Sequence, residues 1–152
     1  MPGRTDGTNT MLFIDKSEVP SDRWKDMTSI RLVCNVRPQK SEVNRTRCTV
    51  DGSRINFVGN VSAPTANLLT VKLLFNSIIS TPGARFLGLD LEDFYLNTPM
   101  ERPECVRMKL SLFPDDVIEH YNLRDKASPD GTVYIKIVKG MYGLPAAGLL
   151  AQ

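Results

Sequence analysis

The sequence is poor in the residues that build metal clusters and disulfide frameworks. It has one histidine, His120, and three cysteines, Cys34, Cys48 and Cys105, in 152 residues. The cysteines are widely spaced and no Cys-x-x-Cys occurs. That argues against a zinc ribbon or a disulfide scaffold and for free thiols in a reducing compartment. No apolar run approaches the roughly 18 residues that a membrane-spanning helix needs. The first ten residues, MPGRTDGTNT, lack the apolar stretch of a signal peptide. An intracellular, cytoplasmic chain with no membrane partner is expected. Charge of one sign is also lacking: 19 Lys and Arg stand against 17 Asp and Glu, a net +2. Composition alone therefore gives no basic field of the kind that attracts nucleic acid.

What is present is an ordinary globular composition, 41% hydrophobic and 24% charged, at about one domain's length. The charge is unevenly placed. Arg31 to Arg54 holds six basic residues against two acidic ones, and Leu87 to Glu104 holds five acidic against one basic. A basic arm beside an acidic patch suits a polyanion held near metal cations.

Period-two alternation predicts strands over 30–37, 105–110 and 133–138. Arg45–Val50 and Arg54–Phe57 flank Asp51-Gly52, which predicts a hairpin with its turn there and with Arg45 and Arg47 on one face. Leu68, Val71, Phe75 and Ile78 recur at helical spacing within 64–80, and Leu69, Leu73 and Leu74 broaden the stripe, so this helix is expected to be largely buried. Ser62 or Thr65 is placed to cap it. RFLGLDL, 85–91, reads as a buried strand. Pro114-Asp115-Asp116 opens a short helix and Ser128–Gly131 is a turn. Strands and helices in this irregular order predict an α+β fold. Residues 1–27 are read as an N-terminal tail, partly disordered, and 28–152 as the domain.

The sharpest local feature is FLGLDLEDFYLN. Asp90 ends an apolar run, with Glu92 and Asp93 close behind. A carboxylate on a buried strand is costly unless it is paired or binds a metal. Clustered carboxylates suit Mg²⁺, and two such ions can clamp the oxygens of a phosphoryl transfer. The alternative at this point is that Asp90 caps a turn while Glu92 and Asp93 are solvated.

These residues resemble the reverse transcriptase domain of copia-type retrotransposon polyproteins, in its N-terminal fingers-and-palm part. Asp90-Leu-Glu-Asp-Phe-Tyr-Leu-Asn97 is similar to that family's Asp segment ending in aromatic-Leu-Asn. Lys139-Gly-Met-Tyr-Gly-Leu-Pro145 is similar to its Lys-x-Leu-Tyr-Gly-Leu motif. RTRCTVDGSRI, followed by Ser62-Ala-Pro64 and the long helix, is similar to its fingers hairpin. The resemblance covers about residues 28–152. It implies a partial fingers-and-palm polymerase fold and an RNA-directed DNA polymerase activity. It implies Asp90 as the catalytic aspartate and Mg²⁺ ligand. Leu91, Tyr95, Arg45 and Arg47 would lie at the nucleotide, and Arg54, Gly143, Leu144 and Pro145 at the template or primer. The implied partners are an RNA or DNA primer–template, deoxynucleoside triphosphates and the rest of a polyprotein, in the cytoplasmic virus-like particle of a parent element. Two departures stand out. Ala146-Ala147 replaces a step where the family commonly has Gln. The Tyr/Phe-x-Asp-Asp hairpin that supplies the other carboxylates does not occur in the 152 residues. The fold is thus expected to be truncated before that hairpin, and the chain to be inactive alone. Competing readings are a non-catalytic nucleic-acid-binding or interaction module, and an unrelated α+β domain with structural acids.

Overall fold

A computed structural model of the chain describes residues 7–59, 61–62, 65–89, 91 and 93–151. Five strands form one mixed sheet: β1 (Met11–Ile14), β2 (Thr28–Val36), β3 (Asn44–Val50), β4 (Pro99–Lys109) and β5 (Thr132–Lys139). Their spatial order is β1-β5-β4-β2-β3. All neighbours are antiparallel except β2 and β4, which run parallel and pair only at Thr28–Val106 and Ser29–Arg107. The helices are α1 (Leu68–Ser80), α2 (Phe94–Asn97), α3 (Asp115–His120), α4 (Leu123–Lys126) and α5 (Ala147–Leu150). The architecture is α+β.

Alternation explains how the sheet buries both faces. Val133, Ile135 and Ile137 of β5 point to one side. There they join Val106 and Met108 of β4, Ile118 of α3 and Leu123 of α4 in the main core. Tyr134 and Cys105 point to the other side and meet Ile14, Val19 and Met27, beneath the 3-10 turns at 16–18 and 21–26. Side chains such as Ile135 and Ile137, at most 1% exposed, each gain roughly 1.5–3 kcal/mol from leaving water. An ion network lies at the first half of β4. Arg23 lies 3.7 Å from Glu104, and Arg102 contacts Asp26 at 3.1 Å and Glu104 at 3.4 Å. Burial pushes the Glu104 carboxyl up, against the pull of Arg23. The network satisfies two buried acids; lone buried charges would be costly.

Several expectations differ from the structure. The hairpin exists, but β3 pairs with β2 across the 37–43 loop, with Ile30 opposite Val50 and Val36 opposite Asn44. At Asp51-Gly52 the Asp51 carboxylate accepts hydrogen bonds from the Ser53 hydroxyl at 2.7 Å and from Arg31 at 3.0 Å. The chain there closes into a 3-10 turn over Gly52–Arg54, so Arg54–Phe57 forms no strand. The described residues of 85–91 also form no strand, and Phe86, Leu87, Leu89 and Leu91 are exposed. The helix forms, but α1 has no buried residue: its apolar side chains stay largely exposed among the described residues, with the Phe75 ring 5.2 Å from that of Phe86. Its cap is Asn67, whose side chain accepts the Leu69 N–H at 2.8 Å; Ser62 and Thr65 do not fill that place. Within the expected tail, β1 pairs with β5 from Met11–Ile137 to Ile14–Tyr134.

Candidate functional site

Three segments far apart in sequence meet beside the end of β3. The first is β3 itself. Its odd-numbered residues share a face, so Arg45 and Arg47 project together, alongside Val33 and Asn35 of β2 in the paired register. The second is α2, which carries Tyr95. The third is the loop after β5, 140–146. Backbone bonds tie them together: the Val50 N–H donates to Tyr142 O at 2.8 Å, and the Gly140 N–H donates to Thr98 O at 2.8 Å.

Two glycines make the approach possible. Gly143 has φ +89, and a Cβ there would sit 2.0 Å from Val50 O. A Cβ on Gly140 would sit 2.6 Å from Tyr95 O. Neither gap admits a methyl group, so the loop lies flush against β3 and α2 only with glycine at both places.

Side chains complete the cluster. The Arg47 guanidinium lies over the Tyr142 ring, 5.9 Å from its centroid. The Tyr142 and Tyr95 rings meet edge to face at 5.7 Å, and Phe94 lies 5.9 Å from Tyr95. Arg47 Nε is buried without a hydrogen-bond partner. A buried, unpaired guanidinium N–H leaves an unmet donor that an anion could satisfy. Among the described residues neither Arg45, Arg47 nor Arg54 forms a salt bridge, whereas Arg31 on the same face is held by Asp51 at 3.0 Å. The result is a face with positive charge beside a cluster of aromatic rings, a combination that serves phosphates and bases together.

The expected site residues separate into groups. Arg47 and Tyr95 meet at Tyr142, and Gly143 lies next to it against Val50; Arg45 shares the Arg47 face of β3, and Pro145 approaches Gly52. Arg54 is exposed on the 3-10 turn that follows β3, and Leu91 is 62% exposed in coil. Leu144 lies in the main core, so its side chain supports the loop from below. Ala146 and Ala147 are buried as well. A small cavity of about 90 Å³ sits next to the loop, with Ile55, Phe57, Leu144 and Leu150 on its apolar walls and Glu101, Arg102 and Glu104 also lining it. It is well below the size of a typical small-molecule site. Asp90 and Glu92 lie outside the described residues. Asp93 precedes α2 with φ 52. Among the described residues no group of three or more His, Cys, Asp or Glu side chains is spaced for a metal ion, and no helix is long and apolar enough to cross a membrane.

Tyr142 is the residue that sequence reasoning passed over. It stands inside the Lys-Gly-Met-Tyr-Gly-Leu-Pro motif, where its neighbours drew the functional reading. No protein-family model, curated protein or solved structure matches the chain.

Proposed function

We propose that this chain is the fingers and first palm part of an RNA-directed DNA polymerase of the copia retrotransposon type, binding a primer–template and a deoxynucleoside triphosphate. The observation that supports this reading best is the meeting of Arg47, Tyr142 and Tyr95. Each stands in one of the three motifs on which the resemblance rests, and those motifs are separated by tens of residues. In this reading Arg45, Arg47 and Arg54 hold phosphates of the template or the incoming nucleotide. Such contacts give affinity without sequence choice. Tyr95 and Tyr142 supply flat surfaces for a base or ribose. Gly143 and Pro145 shape the loop beneath the duplex, and Leu91 lies near the triphosphate. Asp90 is the acid that would hold Mg²⁺, which when bound offsets the charge of the reacting phosphates.

A second reading keeps the interface without the chemistry: a non-catalytic nucleic-acid-binding module. The unpaired arginines favour it, because they need no acidic centre to attract a polyanion. Both readings predict binding that weakens as salt rises. Neutralising Arg45, Arg47 and Arg54 together should flatten the slope of log K against log salt by up to about three contacts, at roughly 0.7–0.9 per contact. An unchanged slope in the triple variant would remove this face from any nucleic-acid role.

A further inference from the structure

One face of β2, β3 and β4 is covered at one end and bare at the other. The registers place the odd-numbered residues of all three strands on that face, with Asn35 opposite Arg45, Val33 opposite Arg47 and Ser29 opposite Arg107. Cys105, and Tyr134 opposite Arg107 on the same side, are buried with Val19 and Met27. Past them lie nine odd-numbered residues, from Ser29 to Asn35, from Arg45 to Thr49, and Arg107 with Lys109; six are exposed and three half-buried. Five of the nine, Arg31, Arg45, Arg47, Arg107 and Lys109, are cationic and none is acidic.

Carboxylates at the rim reach two of the five cations. Asp51 holds Arg31 at 3.0 Å, and Asp130 holds Lys109 at 3.1 Å. Arg45, Arg47 and Arg107 form no ion pair among the described residues. Strand spacing puts Arg47, Arg31 and Arg107 on a diagonal across the three strands, in steps of roughly 8 Å. Where β2 and β4 part, beyond Ser29–Arg107, they leave a groove of about 460 Å³. That is large enough for a small organic ligand. Ile30, Met108 and Leu112 give it apolar walls. Lys109 and Asp130, which also line it, neutralise each other, so Arg107 is its uncompensated charge.

We propose that this face is a track for a single strand of nucleic acid, running from Arg45 and Arg47 across β2 to Arg107, with one nucleotide of that strand seated in the groove between β2 and β4. The inference rests on the nucleic-acid reading of the Arg47 face and extends it to a second, separate site. Charge selects a polyanion, because a face without acids repels a cationic partner and gains from neutralising three unpaired arginines. The groove selects a nucleotide, because it sets an uncompensated guanidinium beside apolar walls, a place for a phosphate next to a place for a base. It selects a single strand, because a base in a duplex is stacked and paired and would have to be pulled out to enter.

The test uses the whole chain and an oligothymidylate, with the NMR signal of the Met108 methyl group as a reporter inside the groove. The single strand should shift that signal. Arg107→Gln should abolish the shift and flatten the slope of log K against log salt by about 0.7, one contact on a single strand. Arg107 holds no ion-pair partner, so the variant should keep the wild-type Tm. Arg124→Gln, at an exposed arginine of α4, should leave shift and slope as they were. If the strand binds, and neutralising Arg45, Arg47 and Arg54 flattens the slope, while Met108 never moves or Arg107→Gln changes nothing, the groove is refuted and the Arg47 face remains a nucleic-acid site. If no strand binds, both fall. A Met108 shift of the same size from inorganic phosphate, from poly-glutamate or from a fully paired duplex refutes the assignment to a single strand.

Discussion

Replacing Gly143 by alanine tests the junction that assembles the site. Two costs follow from the structure. Holding a non-glycine residue at φ +89 strains the backbone by about 1–2 kcal/mol. The new methyl group, placed 2.0 Å from Val50 O, also forces the loop off β3. That movement breaks the 2.8 Å bond from the Val50 N–H to Tyr142 O. Val50 is only 3% exposed, so the stranded donor costs roughly another 1–3 kcal/mol. Together the change should remove about 2–5 kcal/mol. At about 2–4 °C per kcal/mol for a chain of this size, Tm should fall by about 4–20 °C. Gly131→Ala is the control: its φ is +72, but a Cβ there meets nothing within 4 Å. It bears the strain without the collision. Thermal melts followed by circular dichroism would compare the two variants. If Gly143→Ala lost no more stability than Gly131→Ala, the close packing of the loop on β3 would be wrong. The site built on it would fall too.

Other outcomes follow from the same geometry. Asp130 accepts from the Thr132 hydroxyl and backbone N–H and from Lys109, and these bonds lower its carboxyl from 3.8 to about 2. Its contribution to stability is complete above pH 3.8 and is lost as pH falls towards 2. Asp130→Asn should therefore remove stability near neutrality and flatten the acid limb in that window; an acid titration with an unaltered limb would contradict it. A double-mutant cycle on Arg47→Ala and Tyr142→Phe or Tyr142→Ala should give a coupling of about 0.5–1 kcal/mol for the alanine variant, since the cation rests on a partly exposed ring. Additive effects in a denaturant series would show that the two side chains do not interact.

Much of the fold was legible because alternation is a local property. β5 reads directly from Val133, Ile135 and Ile137, and its observed span, Thr132–Lys139, extends the expected one by a residue at each end. β4 was read only in its regular half, 105–110. Its first half carries Pro99 and Pro103 and a register shift between Pro99 and Glu104, which breaks the period. β1 is four residues, MLFI, with no alternation to reveal it, and it owes its place to pairing with β5. Partners were harder to read than elements. The Asp51-Gly52 pair fits a turn, and a turn forms there, but the local pattern does not contain the choice of β2 as the strand opposite β3. The leucines of α1 specify a helix, whereas its exposure depends on which surfaces lie nearby. At the candidate site, Arg45 and Arg47 on one face followed from strand geometry alone. The contact of Arg47 with Tyr142 did not, because it joins residues nearly a hundred positions apart in the chain.

Cross-linking tests the central claim most directly. A primer–template carrying 5-bromodeoxyuridine at the primer end would be bound to the chain, irradiated and digested, and the attached peptides identified by mass spectrometry. The arrangement of Arg47, Tyr142 and Tyr95 predicts attachment at Tyr142 or Tyr95, lost when Arg45, Arg47 and Arg54 are neutralised together. Attachment confined to the 3-10 turns at 16–26 would contradict it.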